Sequence, residues 1–140
     1  MYFLDSNTCI YFLNGSSEAI RKKVLSTSPI DIKIPSVVKA ELLLGAYKSK
    51  TPQKSLEKLE QFLEPFEVVP FDETVCYEYA AIRKQTEEEG KIVGPNDLLI
   101  ASIAKFHEGI LVTRNTKEFT RIKDLVIENW WEEAENSPNI

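Results

Sequence analysis

Histidine and cysteine are scarce in this chain, with one of the first and two of the second. A lone His107 excludes a His-rich metal site, and beside a helix end it reads as a solvated or capping residue, not a catalyst. Cys9 and Cys76 are too few for a disulfide framework. Set among apolar neighbours, both read as reduced core thiols of a cytoplasmic protein. No apolar run approaches the roughly 20 residues that cross a bilayer, and the short apolar start lacks the basic flank of a signal peptide. A positive surplus is missing as well. The net charge of −5 argues against broad, salt-driven binding to nucleic acid. It still permits a nuclease, in which acids gather at a metal while bases line another face. The basic clusters (Arg21 to Lys23; Lys48, Lys50, Lys54 and Lys58; Arg114, Lys117, Arg121 and Lys123) read first as solvated surface.

What is present is the balance of a folded globular protein, 43% hydrophobic and 28% charged, which argues against disorder. Repeats, low-complexity stretches and linkers are absent, so residues 1–140 read as a single domain. Short apolar runs alternate with longer helical patterns, the signature of an α/β fold with a mainly parallel sheet. The strand candidates are Tyr2 to Asp5, Asp31 to Ile34, Glu67 to Phe71, Ile110 to Thr113 and, more weakly, Leu125 to Ile127. Helices are expected over Ser17 to Ser26, Ser36 to Lys48 and Gln53 to Leu63. A longer one is expected to be capped by Asp72 and stopped by Gly90. LLIASIAKF, after the breaker Gly94-Pro95-Asn96, is apolar around most of its circumference and reads as a buried helix. Glu87 to Glu89 read as exposed surface. The acidic segment from Trp130 to Ile140 is expected to fray after its two tryptophans.

Three acids stand in unusual company. Asp5 closes the first apolar run and precedes the helix-start residues Ser6, Asn7 and Thr8, so its carboxylate belongs to a strand-to-helix junction. Helix capping and a functional role fit it about equally well. Glu41 lies inside VVKAELLLGA, on the side that Val37, Val38, Leu42 and Leu44 make apolar. A carboxylate there must be paired, protonated or bound to a cation. Asp97 opens LLIASIAKF, where the helix dipole and a cap shared with Asn96 explain it locally. In open parallel sheets, ligands bind beyond the carboxyl ends of the strands at a topological switch point. Asp5 and Asn115 share that edge if the first and fourth strands are neighbours, and two helix starts bring Glu41 and Asp97 there. Carboxylates so gathered repel one another unless a cation intervenes. Mg²⁺ or Mn²⁺ suits such oxygen ligands and activates water for phosphodiester or phosphoester hydrolysis. An aspartyl-phosphate phosphatase would need a second aspartate two residues after Asp5, where Asn7 stands. A receiver domain would need an acidic pair near the N-terminus, and none accompanies Asp5.

LDSN at Asp5, VVKAELLLGA at Glu41, GPNDLLIASIA at Asp97 and LVTRNTKEF at Asn115, in this order and at this length, resemble the PIN-domain family. Within it they are most similar to the VapC-type toxins of toxin–antitoxin pairs. The resemblance covers nearly the whole chain. It implies a three-layer α/β/α sandwich, an acidic Mg²⁺ (or Mn²⁺) site and endoribonuclease activity on RNA. Carried over by position, Asp5 and Asp97 are the principal metal ligands, and Glu41 completes the site directly or through a bound water. Family members often carry Asp after the Thr-Arg pair, where this chain has Asn115, with Glu118 three residues on as the second acid. Asn115 adds no negative charge, so whether one or two ions bind stays open, as does a PIN-like module that binds RNA or protein without cutting. Ser6 and Thr113 are hydroxyl contributors near the metal, and Arg114 either meets phosphate or makes a structural ion pair. The resemblance also implies a homodimer and a small DNA-binding antitoxin. A groove for the antitoxin's tail is expected among Phe12, Leu13, Leu43, Leu44, Tyr47, Leu56, Leu59 and Phe62.

Overall fold

The computed structural model describes residues 1–131; the expected fraying of the tail lies outside them, apart from the two tryptophans, which are buried. In chain order the elements are β1 (Tyr2–Leu4), α1 (Ser6–Asn14), α2 (Glu18–Ser26), β2 (Ile32–Pro35), α3 (Ser36–Lys48) and α4 (Pro52–Leu63). These are followed by β3 (Glu67–Val69), α5 (Val75–Glu88), α6 (Pro95–Phe106), β4 (Ile110–Val112), α7 (Thr116–Phe119) and β5 (Val126–Glu128). A 3₁₀ turn at Pro29–Asp31 leads into β2. The strands stand in the order β3-β2-β1-β4-β5, and every pairing is parallel. Parallel neighbours require crossover connections, and helices provide them as the outer layers of an α/β/α sandwich.

The expected strands all form, each within two residues of its expected ends. They are short, and their central members are buried on both faces: Phe3, Leu4, Ile34, Leu111 and Val112 have no exposed surface. The chain runs β1-β2-β3 toward one edge and then returns to place β4 on the other side of β1. Tyr2 pairs with Ile110, Phe3 with Leu111 and Leu4 with Val112, and the Asp5 amide extends the ladder to the Val112 carbonyl at 3.1 Å. The carboxyl ends of β1 and β4 thus flank the switch point of the sheet.

Local signals set the helix boundaries. The Asp72 carboxylate accepts the Val75 amide at 3.2 Å, and Gly90 ends that helix region with φ of 67°, as Gly permits. The interior of α6 is apolar because Leu98, Ile100, Ala101, Ile103 and Ala104 are all buried. Glu87 and Glu88 face solvent, paired with Arg83 and Lys84 one turn earlier.

Two expectations need correction. Cys9 is a core thiol, but Cys76 is exposed: it lies in the first turn of α5 on the outward side, beside Tyr77, itself 78% exposed. His107 ends α6 through its backbone, yet its ring is half-buried rather than freely solvated. It stacks on Phe3 at 6.0 Å, and its Nε2 is buried without a partner among the described residues.

Candidate active site

Asp5 is both a helix cap and a member of an acid cluster. Its Oδ1 accepts the Thr8 amide at 2.9 Å and the Thr8 hydroxyl at 2.6 Å. These bonds begin α1, and they engage a single carboxylate oxygen. Thr113, fully buried at the end of β4, hydrogen-bonds the same carboxylate, while its Oγ1 accepts the Asn115 amide at 2.9 Å. Burial pushes the Asp5 carboxyl up, the Thr113 and Thr8 hydrogen bonds oppose that, and the Glu41 charge adds to the rise.

Glu41 reaches this edge from the second turn of α3. It is half-buried rather than deeply buried, because Leu44 on the same helix is 58% exposed and the apolar band does not close around it. Both its oxygens have partners from other elements. Ser6 at the start of α1 donates to Oε1 at 2.5 Å, and Asn96 in α6 donates from Nδ2 to Oε2 at 3.2 Å. Three helices thus meet at one carboxylate.

The capping explanation of Asp97 fails. Gly94 occupies the cap position of α6, and no side chain makes a capping hydrogen bond there. Asn96 is spent on Glu41, and Asp97 faces Glu118. Burial pushes Asp97 up to about 7, assisted by the charge of Glu118, a hydrogen bond shared with it, and the charges of Asp5 and Glu41. The Asp97 carboxyl is therefore only partly ionised near neutrality when no cation is bound. Glu118, in α7, is itself fixed: its Oε1 accepts the Gly94 amide at 2.9 Å and its Oε2 accepts the Asn115 side-chain amide at 2.9 Å.

The structure therefore brings Asp5, Glu41, Asp97, Asn115 and Glu118 to one edge, with Ser6 and Thr113 as hydroxyl partners. Sequence reasoning missed Asn96 as a tether of Glu41 and the Gly94 amide as a support for Glu118. Each contact joins elements distant in the chain, and only the Gly-Pro-Asn breaker hinted at a special turn. Among the described residues, no three acids close on one point as a finished ligand shell. The donors are nonetheless hard oxygens, and burial together with the neighbouring negative charges raises the Asp97 carboxyl. Such a set suits Mg²⁺ or Mn²⁺, which binds through a few carboxylates and keeps several waters.

Beside Glu41 a groove of about 340 Å³ runs between α1, α3 and α4, lined by Ile10, Leu13, Leu42, Ala46, Lys58 and Leu59. The residues expected to form one groove divide. Leu13 and Leu59 line this groove, Leu43, Tyr47 and Leu56 line a second hollow on the α3–α4 surface, and Phe12 packs on the buried Phe62 at 5.4 Å.

Comparison with known proteins identifies the family. Residues 2–125 match the PIN domain. Ribonuclease VapC2 of Rickettsia felis is 40% identical over 131 residues, 93% of this chain and 98% of that protein. The tRNA(fMet)-specific endonuclease VapC of Salmonella typhimurium is 36% identical over 130 residues, 92% and 97% of the two chains. Among solved structures, DNA-bound VapBC of Salmonella typhimurium superposes with a TM-score of 0.87 at 34% identity, covering 92% of this chain and 97% of that one. With the acid cluster at the β1–β4 switch point and the match along the sheet and helices that build it, the chain belongs to the PIN-domain family, in its VapC branch.

Proposed function

We propose that this protein is the endoribonuclease toxin of a type II toxin–antitoxin pair and hydrolyses RNA phosphodiester bonds with a metal-activated water. The convergence of Asp5, Glu41, Asp97 and Glu118 at one sheet edge carries this reading, and the VapC ribonucleases among its relatives support it. Asp5 and Asp97 would hold Mg²⁺ or Mn²⁺, with Glu41 completing the site, and the bound ion would supply an acidified water and charge neutralisation at the scissile phosphate. Glu41, fixed from two sides by Ser6 and Asn96, accepts a hydrogen bond from the attacking water and orients it. Glu118 supplies the acid that Asn115 does not, and the Asn115 amide keeps it aimed. The Thr113 hydroxyl holds Asp5 in place, so the carboxylate need not reorganise during reaction.

The antitoxin reading rests on relatives that are VapBC complexes. In this chain the groove is lined largely by apolar side chains, with Lys58 among them, and Glu41 of the acid cluster belongs to its wall. It fits an apolar antitoxin segment that ends in a basic residue over the cluster. The exposed Leu44 and Tyr47 of α3 are a candidate homodimer surface, and a monomer by light scattering at micromolar concentration would remove it. No helix among the described residues is long and apolar enough to cross a membrane.

The test is cleavage by antitoxin-free protein. Initiator tRNA comes first, because relatives are named for it, with rRNA and mRNA beside it, each with Mg²⁺, Mn²⁺ or chelator. Metal-dependent cutting by the wild type and none by Asp5→Asn is the expected result. No cutting of any RNA, together with no metal binding by calorimetry, would overturn the reading in favour of a non-catalytic binding module.

A further inference from the structure

Glu118 owes its aim in part to a turn from elsewhere in the chain: its Oε1 accepts the amide of Gly94, 24 positions earlier, at 2.9 Å. That turn, between α5 and α6, is anchored where the Lys91 amide donates to the Thr86 carbonyl at 2.8 Å and where Val93 is buried. Ile92 adds no packing anchor, since its side chain is 76% exposed. Its carbonyl is held instead by Arg121, whose Nη1 donates to it at 2.5 Å. Arg121 follows α7 and donates its own amide to the Glu118 carbonyl at 3.1 Å, so the two residues ride on one turn of chain. Gln85 of α5 clamps that turn from behind: its Nε2 donates to the Arg121 carbonyl at 3.1 Å, and its Oε1 accepts the Lys123 amide at 3.3 Å. Two hydrogen bonds of opposite sense therefore join the segment 118–121 to the segment 92–94.

We infer that Arg121 is a positioning residue for the acid cluster: by fixing the Ile92 carbonyl it keeps the Gly94 amide on Glu118, and so keeps that carboxylate aimed. One bond between two segments leaves a pivot, whereas two set both spacing and orientation. Packing of Val93 holds the turn in place but does not fix the rotation of the peptide planes beside it. A guanidinium on a carbonyl does so firmly, because a hydrogen bond from a charged donor is about twice as strong as a neutral one. The turn also runs close to the acids. A Cβ added to Gly94 would stand 3.5 Å from Glu118 Oε1 and 3.8 Å from Asp97 Oδ2, so a rotated turn disturbs both. The inference rests on the reading of these acids as a metal-holding, RNA-cleaving site.

Arg121→Met, Arg121→Lys, Glu118→Gln and the Arg121→Met/Glu118→Gln double variant test it beside the wild type. Arg121→Met keeps the apolar stem and loses the donors, whereas Arg121→Lys keeps a donor for the Ile92 carbonyl. In metal-free Arg121→Met, hydrogen exchange followed by NMR should be roughly tenfold faster at the Gly94 amide, with the core amides of β1 and β4 unchanged. Mn²⁺ binding by calorimetry should weaken by roughly tenfold, the low end of the loss when an outer partner is removed, and kcat should fall with KM held to within about twofold. Arg121→Lys should restore most of each loss. In the Glu118→Gln background, Arg121→Met should lower neither Mn²⁺ affinity nor kcat further. Unchanged Gly94 exchange in folded Arg121→Met, or an equal loss of Mn²⁺ affinity with and without the Glu118 carboxylate, would overturn the inference. So would a raised KM at unchanged kcat, which would place Arg121 on the RNA backbone instead. Should Arg121→Met not fold, Gln85→Met decides, because it frees the same turn from α5. Faster exchange at Gly94 then supports the inference, and unchanged exchange overturns it. Wild-type protein that neither binds Mn²⁺ nor cuts RNA would remove the functional reading and the inference with it, whereas failure of the inference alone leaves wild-type cleavage intact.

Discussion

Replacing Asp5 by asparagine should cost all metal-dependent activity and no stability, and the geometry says why. The Oδ1 atom caps α1 through Thr8, and an asparagine carbonyl can accept the same two bonds. Asp5→Ala, by contrast, loses the cap at about 1 kcal/mol. Burial raises the Asp5 carboxyl, so its charge opposes folding at all pH values above the ordinary aspartate range. Asparagine removes that charge, and metal-free Asp5→Asn should melt at or above the wild-type temperature. Metal reverses the ranking. An ion at a hundred times its Kd stabilises the native state by about 2.7 kcal/mol, or roughly 10 °C for a domain of this size. Wild type should gain that increment and Asp5→Asn should not. Thermal melts by circular dichroism, with chelator and with a Mg²⁺ or Mn²⁺ titration, read both effects, and RNA cleavage supplies the functional arm. A folded Asp5→Asn protein that still melts higher with metal, or still cuts RNA in a metal-dependent way, would refute the reasoning.

Further outcomes follow from the same contacts. Because Asp97 is raised to about 7, metal-free stability should fall as pH rises from about 4, the unfolded value, to 7. Denaturant melts at pH 5 and pH 8 should show that slope in chelator and lose it in saturating Mg²⁺; a flat metal-free profile would contradict it. Asn115→Asp removes the amide that donates to Glu118 and adds a like charge, so metal-free protein should melt lower while Mn²⁺ binds more tightly by calorimetry. Gly109→Ala places a Cβ against the buried Phe3 ring, 2.6 Å from Cδ2 and closer still to Cε2. That overpacking should cost about 1–3 kcal/mol in urea unfolding without changing metal affinity.

The sheet was legible because its central strands β1 and β4 are buried on both faces, which turns each into an unbroken apolar run that turn residues delimit. The site was legible for a related reason. An acid among apolar neighbours is conspicuous, and Asp5 and Glu41 both betrayed themselves that way. Asp97 did not, since the first turn of a helix is where an idle aspartate is also found. Its interaction with Glu118, 21 positions later, depends on how the start of α6 meets α7, which no local pattern encodes. The contacts that orient the acids were hidden for the same reason: Ser6 and Asn96 reach Glu41 across 35 and 55 positions. Cys76 misled because its neighbours in sequence are apolar while its phase on α5 turns it outward. The groove residues misled because α3 is apolar on more than one side, and sequence spacing could not divide those sides between two hollows.

Helix starts explain why capping and ligation coincide here. The first amides of a helix have no carbonyl partner and favour negative charge, so a carboxylate at such a start is stabilised before any cation arrives. Asp5 uses this fully, with one oxygen spent on Thr8. Asp97 sits equally near a helix start and makes no such bond, and Glu118 takes the Gly94 amide that caps that region instead. The consequence is an asymmetric pair. Asp5 is held by α1 and β4, whereas Asp97 has its carboxyl raised to about 7 by burial and then by the charge of Glu118, so a divalent ion must favour its ionised form. Metal binding should therefore release a proton near neutral pH, and calorimetry in buffers of different ionisation enthalpy would count it. Zero net proton release at pH 6.5 would mean that the Asp97 carboxyl is already ionised in the metal-free protein.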